Sequence, residues 1–366
     1  MRFKKAAAAG LGLALAIGLC ACGGPSNGTN YGATVGVVLP TNGESRWPMA
    51  EAQLKAAMPG VTISYSNNDT NIEKTSVESL IARGVKIIIL CPVNGTTAAS
   101  EVDEAHANGI AVIAYDRLIM NTPNLDYYVT FDSIAVGEAQ AQFLVDNATG
   151  TGNNLYLYAG KPSDNNSFLF FQGSWNVLQP KIADGTFTIA NSATANSLKD
   201  KPTLTRDEMS QIIGQVTTNW SQTDAKILAQ ANLAAASPAQ KGTVYLLAPN
   251  DDTSRAISDA FRDDPAVTTI YNTGQDLAQA SAQYILDGKQ SMTVFKNDKY
   301  LVDYSTQIVN AVLSGTTAKT DTTYDNGSAS IPTATAPLVI ARKDNIVSVI
   351  QGSGLYKIEN GQVVKA

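Results

Sequence analysis

Short, wholly apolar runs recur along this chain, each separated from the next by a segment of helical spacing. Val35-Gly36-Val37-Val38-Leu39, Ile87-Ile88-Ile89-Leu90 and Ile110-Ala111-Val112-Ile113-Ala114-Tyr115 show no polar alternation. A strand with one wet face alternates, whereas a strand covered on both faces does not. A further strand is expected at 61–65, and helices at 48–58, 72–83 and about 97–108, with Gly84 placed as a helix stop. Strand, helix, parallel strand is the repeating unit, which calls for an α/β fold with helices on both faces of a parallel sheet. The pattern restarts, with strands at 154–159, 187–190, 244–248 and 268–271. Two rounds within 366 residues predict two similar doubly wound domains. Residues 315–337 are rich in Thr, Ser, Asp and Ala, with Asp325-Asn326-Gly327 as a turn signal. They read as a surface excursion before a last strand at 338–341 and a terminal helix from about Asp344.

The N-terminus carries a different signal. Arg2, Lys4 and Lys5 precede a 14-residue apolar run, Ala6 to Leu19. That is shorter than the roughly 20 residues of a spanning helix and matches the core of an export signal. It ends in Leu19-Cys20-Ala21-Cys22, which resembles the lipobox of bacterial lipoproteins. The resemblance implies that residues 1–21 are removed and that Cys22 is lipidated, with 22–30 as a flexible tether. An ordinary signal peptide with incidental cysteines is the alternative. Cys91 is then the single internal cysteine, so no disulfide framework is expected, and its place at the end of an apolar run reads as a buried, inert thiol. His106 is the single histidine and reads as a surface residue; no zinc ligand set is evident. Net charge is −6 and no cluster of cations occurs in the body of the chain, which argues against a nucleic-acid partner.

The strands run into polar residues. Leu39-Pro40 leads to Ser45-Arg46-Trp47, Tyr115 to Asp116-Arg117, Ala159 to Asp164-Asn165-Asn166, Ala248-Pro249 to Asn250-Asp251, and Tyr271 to Gln275-Asp276. Ligands of open α/β sheets sit beyond the carboxyl ends of the strands. Five polar strand ends therefore point to one shared cleft, although Asp and Asn at such places also suit helix caps.

Ala114-Tyr115-Asp116-Arg117-Leu118-Ile119, Tyr127-Tyr128-Val129-Thr130-Phe131-Asp132, Ser163-Asp164-Asn165-Asn166, Gly274-Gln275-Asp276 and Thr293-Val294-Phe295-Lys296 resemble, in order and spacing, the xylose- and multiple-sugar-binding proteins of bacterial ABC importers. The likeness extends over about 34–357. It implies a type I periplasmic-binding-protein fold, two doubly wound parallel-sheet domains joined by three hinge strands. It implies a first domain at 31–130 plus 277–304 and a second at 131–276 plus 305–366, with crossings near Phe131-Asp132, Asp276 and Asp303-Tyr304. It implies sugar-binding roles for Arg46, Trp47, Asp116, Arg117, Asp164, Asn166, Asn250, Asp276 and Lys296. A second family tryptophan is expected within 203–207, where this chain has Arg206; that residue stacks on the sugar, bonds a hydroxyl or lies exposed. Trp175 and Trp220 read as core or interface residues.

These residue types suit a pyranose. Its C–H faces need an aromatic plate, and its hydroxyls need mixed donors and acceptors. Trp47 supplies the plate; Asp116, Asp164 and Asp276 accept, Arg46, Arg117 and Lys296 donate, and Asn166 and Asn250 do both. The expected role is extracytoplasmic capture of a monosaccharide by hinge closure and delivery to an ABC permease, by a monomer without cofactor, metal or enzymatic activity. A sensor presenting its sugar to a membrane receptor is the alternative. A glycosidase is disfavoured because the adjacent Asp251 and Asp252 cannot flank a glycosidic bond. A DNA-binding regulator is disfavoured because the export signal occupies the place of its helix-turn-helix.

Overall fold

The computed structural model describes residues 30–366. The expected signal, Cys22 as the expected lipidation site, and nearly all of the expected tether lie outside the described residues. In chain order the first segment holds α1 (Tyr31–Thr34), β1 (Val35–Leu39), α2 (Arg46–Ala57), β2 (Thr62–Tyr65), α3 (Thr70–Ala82), β3 (Ile87–Leu90), α4 (Ala99–Ala107), β4 (Ala111–Tyr115) and β5 (Tyr127–Phe131). The second holds α5 (Ser133–Asp146), β6 (Asn153–Leu157), α6 (Asn165–Ala183), β7 (Phe187–Ile189), α7 (Ala193–Ser197), α8 (Arg206–Val216), α9 (Gln222–Ala235), β8 (Gly242–Leu247), α10 (Asp251–Arg262), β9 (Val267–Asn272), α11 (Gln279–Leu286) and β10 (Met292–Phe295). The third holds α12 (Asp298–Leu313), β11 (Thr322–Asp325) and β12 (Ser330–Ala336). The last holds β13 (Val339–Arg342), α13 (Ile346–Ser353), β14 (Tyr356–Glu359) and β15 (Gln362–Lys365).

The strands form two main sheets, β11-β12-β5-β4-β3-β1-β2 and β7-β6-β8-β9. The pairs from β1 to β5 and from β6 to β9 are all parallel. β1 and β3 are buried at every position, as their unbroken apolar runs require. The strand order reverses beside β1 in the first sheet and beside β6 in the second, and each reversal opens a crevice at the carboxyl edge.

The strand pairings move two of the expected domain crossings. β12 pairs in parallel with β5, Thr333 opposite Tyr128 and Ala336 opposite Phe131, so it extends the first sheet. α12 buries Leu301, Val302, Ile308 and Val309 in the core that holds Trp47 and Leu54 of α2. Residues 305–336 therefore go with the first domain rather than the second. β10 instead pairs antiparallel with β13, and it sides with the second domain: Gln275, just beyond β9, bridges Val294 in parallel, and Met292 and Val294 enter the second domain's core. The crossings lie between β5 and α5, β10 and α12, and β12 and β13. The Thr- and Ser-rich tail expected as an excursion is the β11–β12 hairpin, turning at the buried Asn326, whose Nδ2 donates to Ile119 O and Thr122 O. The β14–β15 hairpin after α13 was not foreseen.

Candidate functional site

Between the domains, side chains from the carboxyl ends of both sheets enclose about 280 Å³ of space free of protein atoms, its mouth included. The first domain contributes Glu44, Arg46, Trp47, Asp116 and Arg117; the second contributes Asp164, Asn166, Phe170, Trp220, Asn250, Gln275 and Asp276; Lys296 enters from the β10–α12 crossing. Nine of the ten residues expected from sequence meet here.

Each group is placed by its element's end. Arg46 and Trp47 open α2, and Asp164 and Asn250 are the N-caps of α6 and α10, accepting from Asn166 N and Thr253 N. The cap reading and the site reading thus apply to the same two side chains. Asp116 follows β4 with φ +65°, Asp276 follows β9 with φ +101°, and Trp220 has φ +61°. These left-handed values are uncommon for residues with a Cβ, and three in one cleft mark a backbone held under strain at the site. At Asp116 the restraint is visible: its carbonyl accepts from Tyr128 Oη at 2.8 Å, Thr130 Oγ1 at 3.1 Å and Asn166 Nδ2 at 2.9 Å.

The charges form a connected set. Arg46 Nη2 lies 2.5 Å from Asp116 Oδ2 and 2.8 Å from Asp298 Oδ1, and its Nη1 lies 3.7 Å from Asp276. Arg117 Nε is 3.0 Å from Asp164 Oδ2, its Nη2 3.7 Å from Glu44, and its Nη1 donates to Pro92 O. Lys296 Nζ is 3.2 Å from Asp276 and stands over the Phe131 and Phe170 rings. Burial pushes the carboxyls up, and the cations oppose it. Arg46, Lys296 and Arg117 together hold Asp116 below the usual carboxylate range. Burial outweighs Arg117 at Asp164 and Glu44, which rise, and pushes Asp298 up to about 6.

Two aromatic walls face the space. Trp47 Nε1 donates to Glu44 Oε2 at 3.0 Å. Trp220 packs edge-to-face on Phe170, and its Nε1 has no hydrogen-bond partner among the described residues. The buried Gln275 Oε1 is likewise without a partner.

Arg206 is not part of this wall. Its guanidinium lies over the Phe168 ring, 3.2 Å from the centroid, and donates to Asn165 Oδ1 at 2.8 Å, which takes it out of the cleft. The second indole on the space is Trp220, which also packs in the second domain's core as expected; the family tryptophan of 203–207, replaced here by Arg206, thus has a counterpart further along the chain. Glu44 and Gln275 were also absent from the expected set. A Gln beside Asp276 was a readable signal; Glu44 gave none, because a carboxylate in a loop before a helix has many ordinary reasons to be there. Among the described residues no group of three or more His, Cys, Asp or Glu is placed to hold a metal ion.

A polar, two-domain cleft at the carboxyl ends of paired parallel sheets is the arrangement of a hinged receptor. Residues 35–317 match the periplasmic binding protein domain. This chain belongs to that family. The multiple sugar-binding periplasmic receptor of Rhizobium radiobacter is 33% identical over 364 residues, 94% of this chain and 97% of that one. The D-xylose-binding periplasmic protein of Escherichia coli K12 is 28% identical over 81% of this chain and 82% of its own. Among solved structures, a carbohydrate transporter solute binding protein from Chloroflexus aurantiacus in complex with D-glucose is 54% identical, with a TM-score of 0.86 over 87% of this chain and 95% of that one. An ABC transporter solute binding protein from Clostridium phytofermentans with bound β-D-glucose gives 29% and 0.80, over 90% and 99%. The paired charges line the cleft between the two domains.

Proposed function

We propose that this protein is the extracytoplasmic receptor of an ABC monosaccharide importer, binding one aldopyranose of the glucose or xylose class without chemical turnover. The observation that carries the reading is the convergence of three cations, four carboxylates and two indoles from both domains on one space between them. Trp47 and Trp220 stack on the C–H faces, and Asp116, Asp164 and Asp276 accept from hydroxyls. Arg46, Arg117 and Lys296 donate to them, with Asn166 and Asn250 adding amide bonds. Charge-assisted bonds are about twice as strong as neutral ones. A hydroxyl of the wrong configuration leaves such a group unpaired at a cost of about 1–3 kcal/mol. Micromolar capture needs about −8 kcal/mol in all, within reach of several such bonds and two stacked faces.

The ligand shifts the hinge toward closure because both domains touch it only in the closed form. The closed receptor, a monomer, then docks on the membrane permease. Attachment through a lipidated Cys22 keeps it at the membrane; Cys22→Ala should release it into the soluble fraction. A thermal-shift screen of about twenty monosaccharides tests the binding assignment, since a tight ligand of the native state raises the melting temperature. No stabilisation by any aldose would sink it.

A further inference from the structure

The cleft carries one more carboxylate than cations. The carboxylates are Glu44, Asp116, Asp164 and Asp276, with Asp298 behind Arg46. The cations are Arg46, Arg117 and Lys296, with the half-buried Lys161 near Glu44 and Asp164. Five therefore oppose four, and without Glu44 the two counts are equal. Each wall cation already stands beside a carboxylate. No wall cation is left to receive an acid group on a ligand, Lys161 lying outside the lining, and an anion buried here would meet a net negative wall.

Glu44 is placed to act on the ligand directly. Its side chain is 12% exposed within the cleft. Oε2 is taken by Trp47 Nε1 and faces Arg117, whereas Oε1 makes no protein hydrogen bond among the described residues. The bond to Nε1 sets this carboxylate at the edge of the indole plate, where the rim of a stacked ring would lie.

Building on the monosaccharide reading, we infer that Glu44 is a specificity-determining residue: its free oxygen accepts a hydroxyl or ammonium hydrogen of the bound ring, and its charge selects neutral and amino sugars over sugar acids. Burial raises the group above the usual carboxylate range, so the preference weakens as pH falls.

The test is calorimetry at pH 7 with glucose, glucosamine and glucuronate on wild type and Glu44→Gln, a change that keeps an acceptor for Trp47. Wild type is expected to bind glucose and glucosamine and to bind glucuronate at least 100-fold more weakly than glucose. The variant should lose at least 10-fold more affinity for glucosamine than for glucose and should bind glucuronate no more weakly than wild type does. Equal losses for glucose and glucosamine would mean that Glu44 only braces Trp47 and would overturn the inference, as would wild type binding glucose but not glucosamine. Wild type binding none of the three would overturn the monosaccharide reading itself.

Discussion

Arg117 of the first domain meets Asp164 of the second across the cleft, Nε to Oδ2 at 3.0 Å, with both side chains under 5% exposed. The pair joins the two domains at the cleft where we propose the sugar binds. Removing one partner of a buried pair costs about 3–5 kcal/mol. In a hinged receptor that cost falls on the closed form, because opening returns both groups to water. Asp164→Asn is therefore expected to lower sugar affinity at least about 100-fold, while the ligand-free melting temperature moves by no more than about 3 °C. Calorimetry and a melting curve separate the two effects. A large loss of stability with unchanged affinity would make the pair a structural brace.

The Trp220 wall can be removed or merely displaced. Trp220→Ala deletes one stacking face, worth about 0.5–1.5 kcal/mol beyond the buried area, and should weaken binding about 10- to 100-fold. Gly160 lies directly beneath the indole, where an added Cβ would overlap the six-membered ring. Gly160→Ala must push Trp220 toward the ligand space, and affinity should fall about 10-fold without any change to the cleft's polar groups. Unchanged affinity in both variants would remove the indole from the site.

Arg206 provides the contrast. Its cation–π contact with Phe168 and its bond to Asn165 are contacts outside the cleft wall. Arg206→Ala should cost about 0.5–1 kcal/mol of stability and leave sugar affinity within about 3-fold. A loss comparable to that of Asp164→Asn would return Arg206 to the binding site.

How far each of these residues could be read from sequence depends on how local its signal is. The runs that became β1, β3 and β4 declare themselves, because burial on both faces forbids polar alternation. The polar strand ends then place Asp116, Asp164, Asn250 and Asp276 through a rule about sheet edges. Trp220 escaped because its direction depends on a left-handed backbone at 219–220, and an indole before a helix gives no hint of that. The β11–β12 hairpin escaped because short Thr- and Ser-rich edge strands have the composition of a loop. The crossing at 337–338 follows from the pairing of β12 with β5, some 200 residues away, and that at 296–297 from the packing of α12 on α2, some 250 residues away, neither of which local pattern can show.

Two carboxyls outside the cleft give the fold a pH dependence of definite sign. Glu73 of α3 is fully buried; its Oε2 accepts from Val93 N at 2.7 Å, and its Oε1 has no partner among the described residues. Glu101 of α4 is 3% exposed, with Oε2 likewise unpartnered. Burial pushes Glu73 up to about 7, and burial together with the charge of Glu73 pushes Glu101 up to about 8. The ordinary value is 4.5 for both. Between 4.5 and 8 the folded state thus holds more protons than the unfolded chain, so stability falls as pH rises through this window. Below 4.5 both are protonated in either state and the penalty is absent; above about 8 both are buried as anions and the penalty is complete. The melting temperature should therefore be higher at pH 5.5 than at pH 8.5. Glu101→Gln, which imitates the protonated acid, should raise it at pH 8.5 and leave it nearly unchanged at pH 5. A variant whose melting temperature keeps the wild-type slope across that range would show that this carboxyl is ionised in the fold at little cost.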